Sequence, residues 1–165
     1  MRLLIAGSRD WVSVRPLREL LFEVNDAQGP FGDVTLVHGG ATGAEALVRG
    51  IGEELGLREE RHEPEWDVHD EHCALRGCSP GRGSCKRAPL RRSRRMVGLG
   101  ADLCLGFLRG DAPEARTTLR LAADAGIPIV ALVEGMRQDA FAAELGGRVD
   151  ADGRIVVGAG TGPRT

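Results

Sequence analysis

The sequence has no tyrosine, and aromatic residues make up only 4% of its 165 residues. Aliphatic side chains and alanine must therefore form the core, and the aromatic platforms on which single-stranded nucleic acids stack are scarce. No apolar run approaches the ~20 residues that a membrane-spanning helix needs. The apolar start of the chain is also too short for a signal peptide. These absences favour a cytoplasmic, globular protein of one domain.

Net charge is nearly absent as well, at −2, so the totals do not indicate a strongly basic nucleic-acid binder. The charges are nevertheless unevenly placed. Residues 53–71 are rich in acid, whereas residues 73–101 contain no acid and include the only lysine, Lys86. Such a basic run is either a solvated face or a phosphate-binding surface, because the planar guanidinium of arginine can bind phosphate through two hydrogen bonds.

Short apolar runs alternate with helical patterns over residues 1–133. This alternation predicts an α/β fold, Rossmann-like and doubly wound, with a mostly parallel sheet and helices on both faces. A long polar insertion that contains cysteines interrupts the pattern at about residues 64–89, and such loops are usually functional, metal-clipped or disordered. Residues 134–165 are predicted to form an extension with a short helix, a small hairpin and a frayed tail.

Ligands of open parallel sheets bind at the carboxyl ends of the strands, where the strand order reverses. Residues 7–9 follow the first predicted strand at that edge, and the loop of residues 38–43 follows the second. Gly39 and Gly40 allow close backbone approach, and Gly43 opens a helix whose free N–H groups attract anions. The glycine spacing is neither that of a P-loop nor that of the GxGxxG dinucleotide motif.

Further polar side chains are expected at the same edge. Arg92 and Arg95 share a face of a predicted helix, and we expect Arg92, with Arg95 in support, to bind a ligand phosphate. The alternative is that the arginine run is exposed or pairs with the acid-rich stretch. Thr117 and Thr118 begin another helix, which they either cap or equip with hydroxyl donors. His38, at the mouth of the crevice, is either a hydrogen-bonded structural residue or part of the site.

The chain has four cysteines. Cys104 lies in the middle of a predicted strand and is expected to be a small core residue. The other three lie in the insertion beside two histidines, and three thiols with one imidazole complete a tetrahedral zinc site. The alternatives are free thiols or a disulfide, which a cytoplasmic setting disfavours. The predicted structural zinc ligands are Cys73, Cys78, Cys85 and His72, with His69 as the other candidate for the fourth position.

Four motifs in this order resemble the YspA-like branch of the SLOG superfamily: GSRDW at 7–11, HGGATGA at 38–44, RSRRMV at 92–97 and GAD at 100–102. That branch is similar to the cytokinin-activating phosphoribohydrolases and to the DNA-processing protein DprA. The resemblance implies a Rossmann-like nucleotide-binding domain and a homodimer. It also implies that a nucleotide or phosphoribosyl group faces Gly7, Ser8, Arg9, residues 39–43, Arg92 and Thr118.

The chain departs from the phosphoribohydrolases, which carry a Pro-Gly-Gly-x-Gly-Thr-x-x-Glu motif after this strand. Thr118 matches the threonine, but the position of the glutamate falls near Arg120 or Leu121. The loss of this acid argues against hydrolysis and not against binding, although Glu45 or Glu114 would be available to supply a carboxylate.

The predicted function is therefore binding of a nucleotide or a nucleotide-derived small molecule, as a sensor or carrier, with no obligatory organic cofactor. The first alternative is an enzyme that hydrolyses the N-glycosidic bond of a nucleoside 5′-monophosphate. The second alternative is DprA-like binding of single-stranded nucleic acid by the basic run. The predicted ligand-binding residues are Gly7, Ser8, Arg9, His38, Gly39, Gly40, Thr42, Gly43, Arg92, Arg95, Thr117 and Thr118.

Overall fold

The computed structural model describes residues 1–29, 33–71, 73, 78 and 84–159. Strands and helices alternate along these parts of the chain, as the sequence pattern predicts. The elements are, in chain order, β1 (Arg2–Gly7), α1 (Val14–Ala27), β2 (Thr35–His38), α2 (Ala44–Glu54), β3 (Arg58–Arg61), α3 (Ala88–Gly98), β4 (Leu103–Arg109), α4 (Pro113–Asp124), β5 (Ile129–Glu134), α5 (Gln138–Glu144), β6 (Arg148–Val149) and β7 (Ile155–Val157).

The strands form one sheet in the order β3-β2-β1-β4-β5-β7-β6. The first five strands are parallel to one another, and β7 and β6 continue the sheet in antiparallel pairing. The strand order reverses between β1 and β4, because the chain first winds outward through β2 and β3 and then returns to the other side of β1. The predicted Rossmann-like, mostly parallel architecture is confirmed.

Helices cover both faces of the sheet, and the alternation of side chains along β1 shows why. Leu3 and Ile5 point to the face that α1 and α2 cover, whereas Leu4 and Ala6 point to the face of α3, α4 and α5. A strand buried on both faces must be apolar throughout, which explains the continuous apolar run of β1. None of the helices in the described ranges is long and apolar enough to cross a bilayer.

Glycine is required where α2 begins against the loop that follows β1. Gly43 has φ 73°, and a Cβ atom there would overlap with the carbonyl oxygens of Ser8 and Arg9. The backbone N–H of Ala44 donates to the carbonyl of Ser8 at 3.1 Å. The loops that follow β1 and β2 are therefore in direct backbone contact at the carboxyl edge of the sheet.

The extension after β5 joins the same sheet. Ile129 of β5 pairs with Val157 of β7, and Phe141 of α5 is buried in the core on the α3–α4 face. This part of the chain contains the helix α5 and the antiparallel pair of β6 and β7. The final part of the predicted frayed tail, residues 160–165, lies outside the described residues.

Candidate functional site

A cleft of about 350 Å³ opens at the carboxyl edge of the sheet, between β1 and β4. One wall is the loop after β1, residues 6–10, and the other is residues 109–115, which connect β4 to the first turn of α4. This is the position where the strand order reverses and where open α/β sheets bind their ligands. The remaining lining residues are Ala41, Glu45, Arg92 and Thr118.

Ser8 holds the two walls of the cleft together. Its hydroxyl accepts a hydrogen bond from the backbone N–H of Arg109 at 2.8 Å, and its own N–H donates to the carbonyl of Phe107 at 2.8 Å. The side chain is buried. Ser8 therefore ties the end of β1 to the end of β4, and its hydroxyl serves the shape of the cleft.

Arg92, from the second turn of α3, supplies a buried cation to the cleft. Its side chain is only 7% exposed, and its Nε atom has no hydrogen-bond partner among the described residues. The guanidinium lies against Gly39 so closely that a Cβ atom on Gly39 would overlap with it. A buried cation without a counter-ion is costly. The arrangement is thus complementary to an anion in the cleft.

The other cations at the cleft differ from Arg92 because the protein supplies their partners. Arg9 forms an exposed ion pair with Glu114, with 2.9 Å between Nη2 and Oε2. Arg109 donates from Nη1 to the carbonyl of Asp10 at 3.2 Å. Of the three arginines in this cleft, Arg92 is therefore the one that is buried and has no ion-pair partner among the described residues.

Thr118 contributes a hydroxyl to the cleft and also attaches α4 to α3. Its Oγ1 atom lies 2.9 Å from Oγ of Ser93 and donates to the carbonyl of Glu114 at 3.1 Å. Both hydroxyl groups are buried. Because Ser93 directly follows Arg92, this contact holds the arginine-bearing turn of α3 against α4.

The glycine loop after β2 is occupied by a side chain of the protein itself. Oε2 of the buried Glu45 accepts hydrogen bonds from the backbone N–H groups of Gly39, at 3.0 Å, and Ala41, at 2.9 Å. These two amides are therefore already satisfied within the protein, and the prediction that residues 39–43 face a ligand stays a prediction. The sequence carries a signal for such hydrogen bonds, because an acid in the first turn of a helix is stabilised by the helix dipole and by nearby free N–H groups.

A second cavity of about 190 Å³ shares Ala41 and Glu45 with the cleft, and its lining includes His38, Gly40 and Thr42. The Nδ1 atom of His38 accepts the N–H of Gly40 at 3.0 Å, and Nε2 lies 3.0 Å from Oε1 of Glu59. Burial lowers the pKa of His38 below its ordinary value, against the opposing effect of nearby carboxylates. His38 is therefore a neutral residue that shapes the loop.

Four predicted ligand-binding residues line neither cavity: the loop glycines Gly39 and Gly43, and Arg95 and Thr117, whose side chains have partners elsewhere. Arg95 is exposed, and its Nη1 atom lies 3.5 Å from Oε1 of Glu65. The hydroxyl of Thr117 donates to the carbonyl of Pro113 at 2.8 Å, within the first turn of α4. The three-residue spacing of Arg92 and Arg95 leaves their directions about 60° apart on the helix, and that angle sends Arg95 to the acid-rich segment.

The structure thus divides the twelve predicted ligand-binding residues by location. Five line the cleft, three line the second cavity, two glycines shape the loop between elements, and two face elsewhere. The cleft is lined by Gly7, Ser8, Arg9, Arg92 and Thr118, and the second cavity by His38, Gly40 and Thr42. The two loop glycines are Gly39 and Gly43, and the two residues that face elsewhere are Arg95 and Thr117.

A separate cluster of cysteines precedes α3. The potential ligand atoms of His69, Cys73, Cys78 and Cys85 all lie within 4.8 Å of one another, and the Sγ atoms of Cys73 and Cys85 are 3.5 Å apart. The three thiols are free and buried. These four residues can hold a metal ion. His72, the other candidate ligand in the sequence, lies outside the described residues.

The surroundings shift the pKa values of two cluster thiols, Cys73 and Cys85, in opposite directions. Burial raises the pKa of Cys73 to about 11. Burial also opposes ionisation of Cys85, but hydrogen bonds led by the one from Arg91 outweigh it and lower that pKa to about 7. The Nη1 atom of Arg91 donates to Sγ of Cys85 at 3.3 Å. At least one thiol of the cluster is therefore prepared to be a thiolate, the form that binds metal.

Comparisons with known proteins agree with this geometry. The profile of the family described as YAcAr, the YspA, cpYpsA-related SLOG family, matches residues 1–69. The chain is also 31% identical over 134 residues to the Gene 61 protein of Mycobacterium phage D29; the match covers 78% of this chain and 94% of the phage protein. No solved structure matches the chain significantly.

Proposed function

Because the chain belongs to the YspA, cpYpsA-related SLOG family, we propose that it binds a nucleotide or a nucleotide-derived ligand, with the phosphate at Arg92 in the cleft between β1 and β4. Family membership suggests a nucleotide-related ligand, and the buried, unpartnered guanidinium of Arg92 is the observation that carries the proposal. The cleft volume of about 350 Å³ lies within the ordinary range for small-molecule sites.

A sensor or carrier role is favoured over hydrolysis of an N-glycosidic bond. The two carboxylates considered for catalysis both have partners within the protein: Glu45 accepts two backbone amides, and Glu114 pairs with Arg9. Arg120, near the position of the missing family glutamate, forms an ion pair with Glu144 and does not line the cleft. Free carboxylate positioned for proton transfer is therefore not supported at these three positions.

Three arginines in the described part of the basic run are already paired with acids of this chain. Arg87 and Arg91 lie within ion-pair distance of Asp70, and Arg95 lies within that distance of Glu65. These contacts support the alternative in which the run pairs with the acid-rich stretch. A small-molecule anion at Arg92 is therefore preferred over single-stranded nucleic acid.

The binding proposal is tested by calorimetric titration with a panel of nucleoside 5′-monophosphates. A hydrogen bond to a charged group contributes about 1.5–3 kcal/mol, so Arg92→Ala should weaken binding by roughly ten- to a hundred-fold. Arg94→Ala is the matched control, because Arg94 is an exposed arginine of the same helix. Equal affinities in the two variants would refute the phosphate role, and release of free base from any ligand would favour the hydrolase.

We also propose that the cysteine cluster holds one structural zinc ion. Three thiols and one imidazole are a donor set that zinc prefers, and all four tetrahedral positions are then filled by the protein, as in structural sites. Two sulfurs on one tetrahedral zinc are about 3.8 Å apart, given Zn–S bonds of about 2.3 Å. The observed 3.5 Å between Cys73 and Cys85 fits this geometry.

The histidine provides an independent indication of the zinc site. The Nδ1 atom of His69 is buried and has no hydrogen-bond partner within the described residues, so a metal ion would satisfy an otherwise unpaired group. Elemental analysis of protein purified without chelator should find one zinc per chain. Metal-free protein would refute the site.

A homodimer in the cytoplasm completes the proposal, and sedimentation equilibrium of the purified chain tests the dimer.

A further inference from the structure

We propose that the metal ion of the cysteine cluster positions Arg92, by fixing the first turns of α3, so that anion binding in the cleft depends on metal occupancy. The inference rests on the zinc site and the phosphate role proposed above. The residues that would carry the coupling are Cys85, Arg87 and Arg91, none of which lines the cleft.

Cys85 joins the cluster to the start of α3 through the backbone. Its carbonyl accepts the N–H of Ala88, the first residue of the helix, at 3.0 Å, and its own N–H donates to the carbonyl of Trp66 at 2.8 Å. Ala88 is buried together with the three cluster cysteines. Any displacement of Cys85 is therefore transmitted directly to the first turn of α3.

Two arginine side chains extend this connection around the cluster. Arg87, at the N-cap of α3, donates to Oδ1 of Asp70 at 2.8 Å. Arg91 donates to Sγ of Cys85 and to the carbonyls of Glu65, at 3.0 Å, and Val68, at 2.6 Å. Arg91 directly precedes Arg92, so the residue that holds the cluster is the sequence neighbour of the residue that faces the cleft.

The first turn of α3 has little stabilisation of its own. It contains no acidic residue, and Arg87 makes no side-chain cap hydrogen bond to the helix. Positive charge near a helix N-terminus is unfavourable, because the dipole already places partial positive charge there. A zinc ion with three thiolates carries net negative charge, and at this position it would offset both the dipole and the nearby arginines.

Arg92 lies between two anchors of unequal strength. One turn further along α3, Met96 and Val97 are buried in the main core, which spans the sheet, α4 and α5. One turn earlier, Ala88 belongs to a separate buried apolar cluster with the three cluster cysteines, a group of four small residues. Four small side chains bury little apolar surface, so this end of α3 rests on the polar contacts of Cys85, Arg87 and Arg91, which a bound metal ion would fix in place.

The test compares zinc-loaded protein with the same protein after chelation and dialysis, using hydrogen exchange and titration with adenosine 5′-monophosphate and inorganic phosphate as probes. Chelation should speed amide exchange in the peptide that covers α3 by about tenfold or more, with β4 unchanged, and weaken probe binding by about tenfold. Zinc should restore both. Cys78→Ala should behave like the chelated protein, whereas Cys104→Ala, which removes a cysteine outside the cluster, should keep its zinc response.

The possible failures are distinguishable. Unchanged α3 exchange and unchanged probe affinity without metal would overturn the coupling and leave the cleft's function intact. Protein that never takes up zinc would overturn the coupling together with the zinc site. An exchange response in zinc-loaded protein that binds neither probe would support metal control of α3 and refute the phosphate role of the cleft.

Discussion

Arginines lie on both sides of α3, but those on one side have partners within the protein and the one on the other side has none among the described residues. On the side of the cysteine cluster, Arg87 and Arg91 contact Asp70, a thiol and backbone carbonyls. On the cleft side, Arg92 is more deeply buried than either of them but has no counter-ion within the described residues. Arginine content alone therefore does not identify the binding surface. A ligand site is indicated where a buried cation lacks an internal acceptor.

The largest effect is expected when one arginine from each side of α3, Arg92 or Arg91, is replaced by alanine. Arg92→Ala should lose roughly ten- to a hundred-fold in ligand affinity, while the apo protein keeps its stability or gains some, because an uncompensated buried charge is removed. Arg91→Ala should lower the melting temperature and affect affinity less. Thermal melts and titrations of both variants check this. Collapse of apo stability in Arg92→Ala would mean that its role is structural.

The next largest effect concerns the two adjacent glycines of the loop. A Cβ on Gly39 would overlap with the guanidinium of Arg92, so Gly39→Ala should displace Arg92 and weaken binding by about tenfold. At Gly40 the Cβ would meet Arg61 instead, and φ is 73°. Gly40→Ala should therefore cost about 1 kcal/mol of stability with affinity little changed. The reverse pattern in titrations would contradict the assignment of Arg92.

The sequence predicts close backbone approach at both Gly39 and Gly40, and the contacts with Arg92 single out Gly39 as the position where a side chain should weaken binding. A control with the same change is Gly50→Ala, at a helical position with open space around the glycine. It should alter neither affinity nor the contact between Arg92 and the loop.

A smaller effect is expected at Glu45, which lines the same cleft as Arg92. Glu45→Gln retains an oxygen that can accept the amides of Gly39 and Ala41 but removes a negative charge beside the anion site. Anion affinity should rise by roughly a few-fold, as expected when a like charge beside the anion is lost. Calorimetry measures this. Loss of a base-releasing activity without any gain in affinity would instead assign Glu45 to catalysis.

The smallest effect concerns a paired cation far from the cleft. A hydrogen bond from Arg2, reinforced by His62, lowers the pKa of Glu60 to about 2. Because the pKa in the unfolded chain is near its ordinary value of 4.5, this pairing stabilises the fold above that pH and is lost as the pH falls toward 2. In Glu60→Gln, the free energy of unfolding measured with urea should depend less on pH between about 4.5 and 2. The same pH dependence as in the wild type would contradict the pairing.

The fold follows from the sequence because its signals are local and repeated. Apolar strands such as β1, helical stripes, and the glycines that end or begin helices each predict their element independently. The position of the cleft follows from the same pattern, since loops after parallel strands meet at one edge. Arg92 is predicted as the phosphate ligand from its place on a helix near the same edge of the sheet and from its place in the SLOG-like motif at 92–97.

The missed features depend on three-dimensional direction and reach. The position of Glu45 in the first turn of α2 signals only that its carboxylate can meet free N–H groups, not that it reaches Gly39 and Ala41, and the spacing does not specify that Arg95 turns to Glu65. In the cluster, the imidazole that lies beside the three thiols is that of His69, whereas the sequence named His72 first and His69 as the other candidate. These outcomes are decided by side-chain geometry over a few ångströms, which one-dimensional periodicity does not contain.

The pairing of β1 with β4 has a consequence for synthesis of the chain. Leu3 pairs with Leu103, so the cleft's two walls are encoded about a hundred residues apart. Contacts of such long sequence separation form slowly, because the intervening chain must first be ordered. Residues 1–69, which carry the family profile, supply only the first wall and the glycine loop. A nascent polypeptide on the ribosome therefore carries the residues of the family profile long before the cleft can form, and a fragment that stops short of α4 lacks one wall of the cleft.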